Sequence, residues 1–201
     1  PGLPDTASLR DFQIDNSGVA LFALSVGFNA SGTYFGPADV IAGDNGVFVK
    51  AFNAAAAGVP AGVHCDGVAR LGNNGPLLLS FDTSFAVAGT LVLASDVIAV
   101  NGNGFGSKLL DAKALGLPAN LNIDAIDAMG TSTDLLVSFD SAGVVAGIAF
   151  SDDDVLQLHL ADGSWSKRFS LLALSDRWST ANLVGLGTAP VSDFIFANDF
   201  D

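Results

Sequence analysis

The chain has 201 residues, half of them hydrophobic and only 14% charged, which supplies core material for one well-filled domain and excludes a disordered segment. Its formal charge of −13, with eight scattered Lys and Arg, excludes a phosphate-binding nucleic-acid interface and disfavours an anionic membrane surface. No apolar run reaches the ~18 residues of a membrane span, because "TLVLASDVIAV" (90–100) is interrupted by Asp96 and "AAAAGVPAGV" (54–63) by Gly and Pro.

All 21 acidic residues are Asp, which prefers turns and caps where Glu favours helix; with 23 glycines beside them, the composition predicts an all-β chain with many tight connections. The opening "PGLPD" carries no initiator Met, which reads as a processed N-terminus or a trimmed start, export with removal of a signal peptide being one explanation. In the first part of the chain, "SLRDFQI" (8–14) and "ADVIAG" (38–43) read as β runs, and "GDNG" (43–46) as a hairpin turn of the Asn-Gly kind that needs positive φ. Next comes "FVKAF" (48–52), whose period of two puts Phe48, Lys50 and Phe52 on one face. "AAAAGVP" (54–60) follows as a helical turn or loop.

The same grammar then repeats. "HCDGVARLG" (64–72), "LLLSFD" (77–82), "SDVIAV" (95–100) and "FGSKLL" (105–110) form a second unit, with "NGNG" (101–104) between its third and fourth runs and "DAKALGLP" (111–118) after them. "NIDAIDAMG" (122–130), "LLVSFD" (135–140) and "DDVLQL" (153–158) return 58 residues later, with "ADGS" (161–164) and "WSKRF" (165–169) completing a third. "NLVGLGT" (182–188) looks like the first strand of a fourth copy, and the tail "PVSDFIFANDFD" adds a strand or a separate terminal signal. The single domain 1–201 therefore divides into units at about 7–63, 64–121 and 122–181, with a partial closing unit 182–201.

Lys50, Lys108 and Lys167 recur at matching positions in the fourth run and make up three of the four lysines. On an exposed edge strand Lys discourages edge-to-edge pairing, so we expect guard residues on the outer strand of each unit in preference to a cation–π platform. The predicted architecture is three tandem four-stranded repeats in a propeller-like ring, with a β-prism, a β-trefoil or an open stacked array as alternatives. In the ring, "NLVGLGT" meets the N-terminal "SLRDFQI", and "DGVARLG" and "DAIDAMG" line the axis.

The order "DAIDAMG…LLVSFD…DDDVLQL…GSW" resembles tandem β repeats of exported bacterial proteins, propeller-like and poorly characterised, and "FIFANDFD" resembles an aromatic–acidic tail found on some of them. That resemblance implies secretion or a surface location and carries over no catalytic residues.

The residues offer little chemistry. His64 aligns with Asn122, and His159 lies on the regular strand "LQLHLAD", so both read as structural, and no Gly-x-Ser-x-Gly elbow exists. Asp66 with Asp124, or Asp82 with Asp140, are the aspartate pairs on which an exported polysaccharide hydrolase or lyase would depend. Repeat-equivalent acids are expected to inherit similar environments, which weighs against an acid and its partner with separated pKa values. The acidic run "SDDDV" makes Asp152, Asp153 and Asp154 the calcium candidates, although alternation along a strand would point them to opposite faces and no EF-hand spacing is present. No other cofactor is expected. Cys65 is the only cysteine and aligns with Ile123, so a buried thiol is expected. The reading is a secreted, non-catalytic β-repeat protein that binds a surface glycan or protein or associates with itself, with no nucleic-acid partner and no membrane span.

Overall fold

The computed structural model describes residues 3–15, 17–72, 75–128, 134–173, 183–188 and 194–198. The sequence motifs at Met129–Gly130 and in much of the tail lie outside these residues.

The chain is nearly all β, and its three repeats are three four-stranded antiparallel meanders. The first contains β1 (Leu9–Ile14), β2 (Ala20–Leu24), β5 (Val40–Asp44) and β6 (Val47–Phe52) in that spatial order. The second contains β7 (Cys65–Arg70), β8 (Leu77–Phe81), β11 (Val97–Asn101) and β12 (Gly104–Leu110), and the third β13 (Ile123–Ala128), β14 (Asp134–Phe139), β17 (Asp154–His159) and β18 (Ser164–Ser170). A last hairpin pairs β19 (Leu183–Thr188) with β20 (Phe194–Asn198). The one described helix, α1 (Ala54–Ala57), is a single turn capped by Asn53 and ended by Gly58 at φ 84°.

Each unit also holds a two-stranded ribbon between its second and third sheet strands, which the sequence reading lacks. These are β3 (Phe28–Ala30) with β4 (Thr33–Phe35), β9 (Phe85–Val87) with β10 (Thr90–Val92), and β15 (Gly143–Val145) with β16 (Ile148–Phe150). Their turns place Ser31, Ala88 and Ala146 at φ 48–50°, each followed by a glycine at φ 79–82°. Every ribbon buries one face, through Phe28 and Phe35, Phe85 and Val92, or Val145 and Phe150, and exposes the other.

Among the described residues, three core clusters lie between neighbours and a fourth lies within the first unit, where Phe22, Leu24 and Ile41 of the sheet pack under Phe28 and Phe35 of its own ribbon. Leu21, Val40 and Phe52 of the first unit pack with Cys65, Leu79 and Phe81 of the second. Leu78, Val97 and Leu110 pack with Ile123, Val137 and Phe139 of the third. Leu183 and Leu186 of the last hairpin fill the far face of the third, against Ala125, Leu136 and Val155. The first strands meet around a common axis: β1 packs on β7, β7 on β13, β13 on β19 and β19 on β1. This is the meeting of "NLVGLGT" with "SLRDFQI" that a ring requires. The strands β6, β12 and β18 are the outer ones.

Candidate functional site

All four axial strands carry a bulge at the same register, between Leu9 and Asp11, Cys65 and Gly67, Ile123 and Ala125, and Leu183 and Gly185. Asp11, Gly67, Ala125 and Gly185 are thereby equivalent, and only the first has a long side chain. The Asp11 carboxylate is fully buried, and one amide from each axial strand donates to it. Oδ1 accepts from Phe12 at 2.9 Å and Leu186 at 3.2 Å, and Oδ2 from Val68 at 2.8 Å and Ile126 at 3.3 Å. Small neighbours are required here: a Cβ on Gly67 would stand 2.4 Å from Ser80 Oγ and 3.0 Å from Ile126. Burial pushes the Asp11 carboxyl well above the ordinary range, and the four amides pull against that.

The bulged residues Arg10, Asp66 and Asp124 form the next layer. Arg10 Nη1 donates to Asp66 Oδ1 at 3.1 Å, and Asn122 Nδ2 to Asp66 Oδ2 at 3.0 Å. Burial raises the Asp66 pKa to about 6 against the opposing pull of Asn122 and Arg10. Beside it, His64 Nδ1 lies 2.6 Å from Asp82 Oδ2. On the other side of Asp11, Gln13 Nε2 donates to Asp127 Oδ1 at 2.8 Å and its Oε1 accepts from the Arg70 amide at 2.7 Å.

Repeat-equivalent aspartates share their backbone contacts but not their side-chain partners, so their environments are only partly alike. Asp82 and Asp140 share a backbone role, accepting the amides of His64 at 2.8 Å and Asn122 at 3.4 Å, but Asp82 also holds the His64 ring, whereas Asp140 accepts from Ser141 Oγ at 3.0 Å. That difference arises within each unit, from His64 where the next unit has Asn122, whereas Asp66 is set apart by its neighbours, facing Arg10 of one unit and Asn122 of another. His159 lies 3.1 Å from Asp134 Oδ2 on the adjacent strand.

Of the calcium candidates, Asp152 is exposed in a turn, while Asp153 and Asp154 are buried. Asp153 accepts from Ser151 Oγ and, at 2.9 Å, from the Leu172 amide. Asp154 Oδ2 accepts from the Ser151 amide at 2.9 Å and from Lys167 Nζ. Among the described residues, no three His, Cys, Asp or Glu side chains are grouped to hold a metal ion.

The lysines are not free edge guards. Lys50 Nζ lies 2.7 Å from Asp39 Oδ2 and Lys108 Nζ 2.6 Å from Asp96 Oδ2, and Lys167 closes the same pair on Asp154. Asp39 and Asp96 each accept two further amides, from Gly36 and Ala54 and from Leu93 and Ala112. A buried acid needs its cation close by, so each lysine folds inward over its strand. Both members of these pairs recur in the sequence, but their partnership becomes visible only when Ile41, Ile98 and Leu156 are seen opposite the lysines.

No protein-family model and no curated protein matches the sequence. Among solved structures, this fold is similar to a protein of unknown function from Bacteroides caccae, with 13% identity and a TM-score of 0.42. The alignment spans 98% of this chain and 55% of that one, so the chain covers about half the length of its structural neighbour.

Proposed function

We propose that the chain is a non-catalytic β-repeat protein of the extracellular space or cell surface, working by binding a glycan or protein there or by assembling with copies of itself. The observation that carries this reading is the repeated apolar display on the ribbons. Tyr34, Leu91 and Val144, one per ribbon, stand 55–57% exposed on strands whose other face is buried. The axial acids, by contrast, are engaged by backbone amides and neighbouring side chains. Glycan arrays and binding to surface proteins, with light scattering and electron microscopy of the purified chain, test it. Binding that weakens in the triple variant Tyr34→Ser, Leu91→Ser, Val144→Ser, or ordered multimers that dissociate in it, is expected; a strict monomer with no extracellular ligand overturns the reading.

A second reading, a polysaccharide hydrolase or lyase working through aspartates, is favoured by Asp66, a carboxyl of pKa about 6 at the axis. Polysaccharide cleavage lost in Asp66→Asn would establish it.

A further inference from the structure

We propose that the second unit carries a slot for a small neutral aromatic molecule, at the place that a phenylalanine of the chain itself fills in the other two units. The three ribbons are in register, with Phe28 opposite Phe35, Phe85 opposite Val92 and Gly143 opposite Phe150. Phe35, Val92 and Phe150 are therefore the same position, and only the second unit lacks the ring. In the first unit, Phe35 stacks on Phe28 with centroids 5.0 Å apart, and Lys50 Nζ stands 5.9 Å from its centroid while holding Asp39. In the third, Phe150 packs on Phe139, again at 5.0 Å.

The second unit retains part of that setting without the ring, and Phe85, the counterpart of Phe28, packs edge-on against Phe81 at 5.1 Å. Lys108 is fixed by Asp96 as Lys50 is by Asp39. The outer strand β12 adds a second register shift, between Ile98 and Val100. What remains is a cavity of about 290 Å³ lined by Val87, Val92, Ile98, Phe105 and Lys108, with Ala56 of α1 at its exposed rim. An apolar cavity of about half that size is enough for benzene.

The walls select the ligand class. The floor, Val87, Val92 and Ile98, is apolar and penalises a charged group, Thr90 and Asn103 are polar members of the exposed wall, and Lys108 is already neutralised by Asp96, so an anion gains little. An ammonium at the edge of an apolar slot prefers the face of an aromatic ring, as Lys50 does with Phe35. The site is separate from the outward faces of the ribbons and does not depend on their having a partner.

Titration of the intact protein with phenol and indole, followed by NMR and calorimetry, tests the slot, with cyclohexanol as the non-aromatic control. Saturable one-to-one binding is expected, with shifts at Val87, Val92 and Lys108, and cyclohexanol weaker. Val92→Phe restores the ring of the sister units, and should raise the melting temperature while weakening phenol binding by about tenfold or more. Ala56→Phe reaches the slot from the exposed rim without entering the core and should weaken binding similarly, which keeps the test decisive if Val92→Phe misfolds. Three results each overturn the proposal: no saturable binding up to the solubility limit, binding unchanged in Ala56→Phe, or cyclohexanol binding as tightly as phenol. A phenylalanine-bearing peptide that binds at least about tenfold more tightly than phenol would replace the small molecule with a protein partner, and so also overturns it.

Discussion

The carboxylate of Asp11 accepts the amide proton of Leu186 at 3.2 Å, across 175 positions of sequence, and so ties the first axial strand to the last. The same side chain holds Val68 and Ile126, so one residue joins all four axial strands. Asp11→Asn keeps the shape but offers an NH₂ to two amide donors that need an acceptor. We expect a loss of about 3 kcal/mol or more by urea denaturation. In Asp11→Gly the vacated amides form an anion hole, and added formate should recover part of the lost stability where chloride does not. Wild-type stability in Asp11→Asn would remove this residue from the centre of the fold.

Deletion of residues 182–201 removes the Leu186 donor and uncovers the cluster around Ala125, Leu136 and Val155. The whole chain should melt earlier in a single transition; a truncated chain with the full melting temperature would exclude closure through this hairpin.

Stability should decline as the pH rises from mildly acidic to neutral. Asp66 has a pKa of about 6 when folded against about 3.9 in the unfolded chain. Between those values the folded protein binds a proton that the unfolded chain has lost, so the contribution is full below about pH 4 and is lost as the pH rises through 6. About two pKa units correspond to about 3 kcal/mol. Burial shifts Asp11 in the same direction. Asp154 has the opposite sign: burial raises it, but the hydrogen bonds from Lys167 and Ser151 prevail and hold it below the ordinary range, so its contribution disappears on strong acidification. Melting temperatures measured against pH should peak between about 4 and 6, and Asp66→Asn should flatten the descent above the peak. The amide introduced by Asp66→Asn is accommodated by a flip of the Asn122 amide, whose Oδ1 is buried without a partner. An unchanged descent in that variant would refute the assignment.

Breaking a Lys–Asp pair from the lysine side should cost more than removing both charges. Lys108→Met strands Asp96, which is fully buried, and should destabilise by about 2 kcal/mol, discounted because Lys108 is partly exposed. Adding Asp96→Asn in the same chain removes the stranded charge but sets an NH₂ against one of the Leu93 and Ala112 amides, so it should recover only a small part of the loss. Equal or greater destabilisation in the double variant would contradict this account.

Cys65 is fully buried, with its Sγ 3.4 Å from the Gly67 carbonyl oxygen, and burial pushes its thiol pKa well up. A thiol reagent should label the native chain only at the rate of global unfolding. Labelling within seconds under native conditions would place the thiol at the surface.

The period, the four sheet strands of each unit and the buried thiol were legible because they recur or follow from an apolar equivalent: "LLLSF" and "LLVSF" are core on both faces, and Cys65 stands where Ile123 does. The ribbons were not. Their turns are Ser-Gly and Ala-Gly, and Ala is a poor advertisement for positive φ; only the tertiary setting holds Ala88 and Ala146 there. Asp11 escaped notice for a different reason. A search by repetition finds what units share, and Asp11 matters because Gly67, Ala125 and Gly185 differ from it. Val92 was hidden in the same way, since its meaning lies in the Phe35 and Phe150 that it is not.

The single carboxylate at the axis also limits how symmetric such a protein can be. Four copies of the first unit would crowd four buried carboxyls into one point that has amides for one, while four copies of the second or third would leave four inward amides with no acceptor. A consensus averaged over the units selects a small residue at this position and deletes the one acceptor on which their amides converge. Inequality among the units is thus a condition of closure, and a designer building from these repeats must place an acceptor on one of them and keep the other three bare.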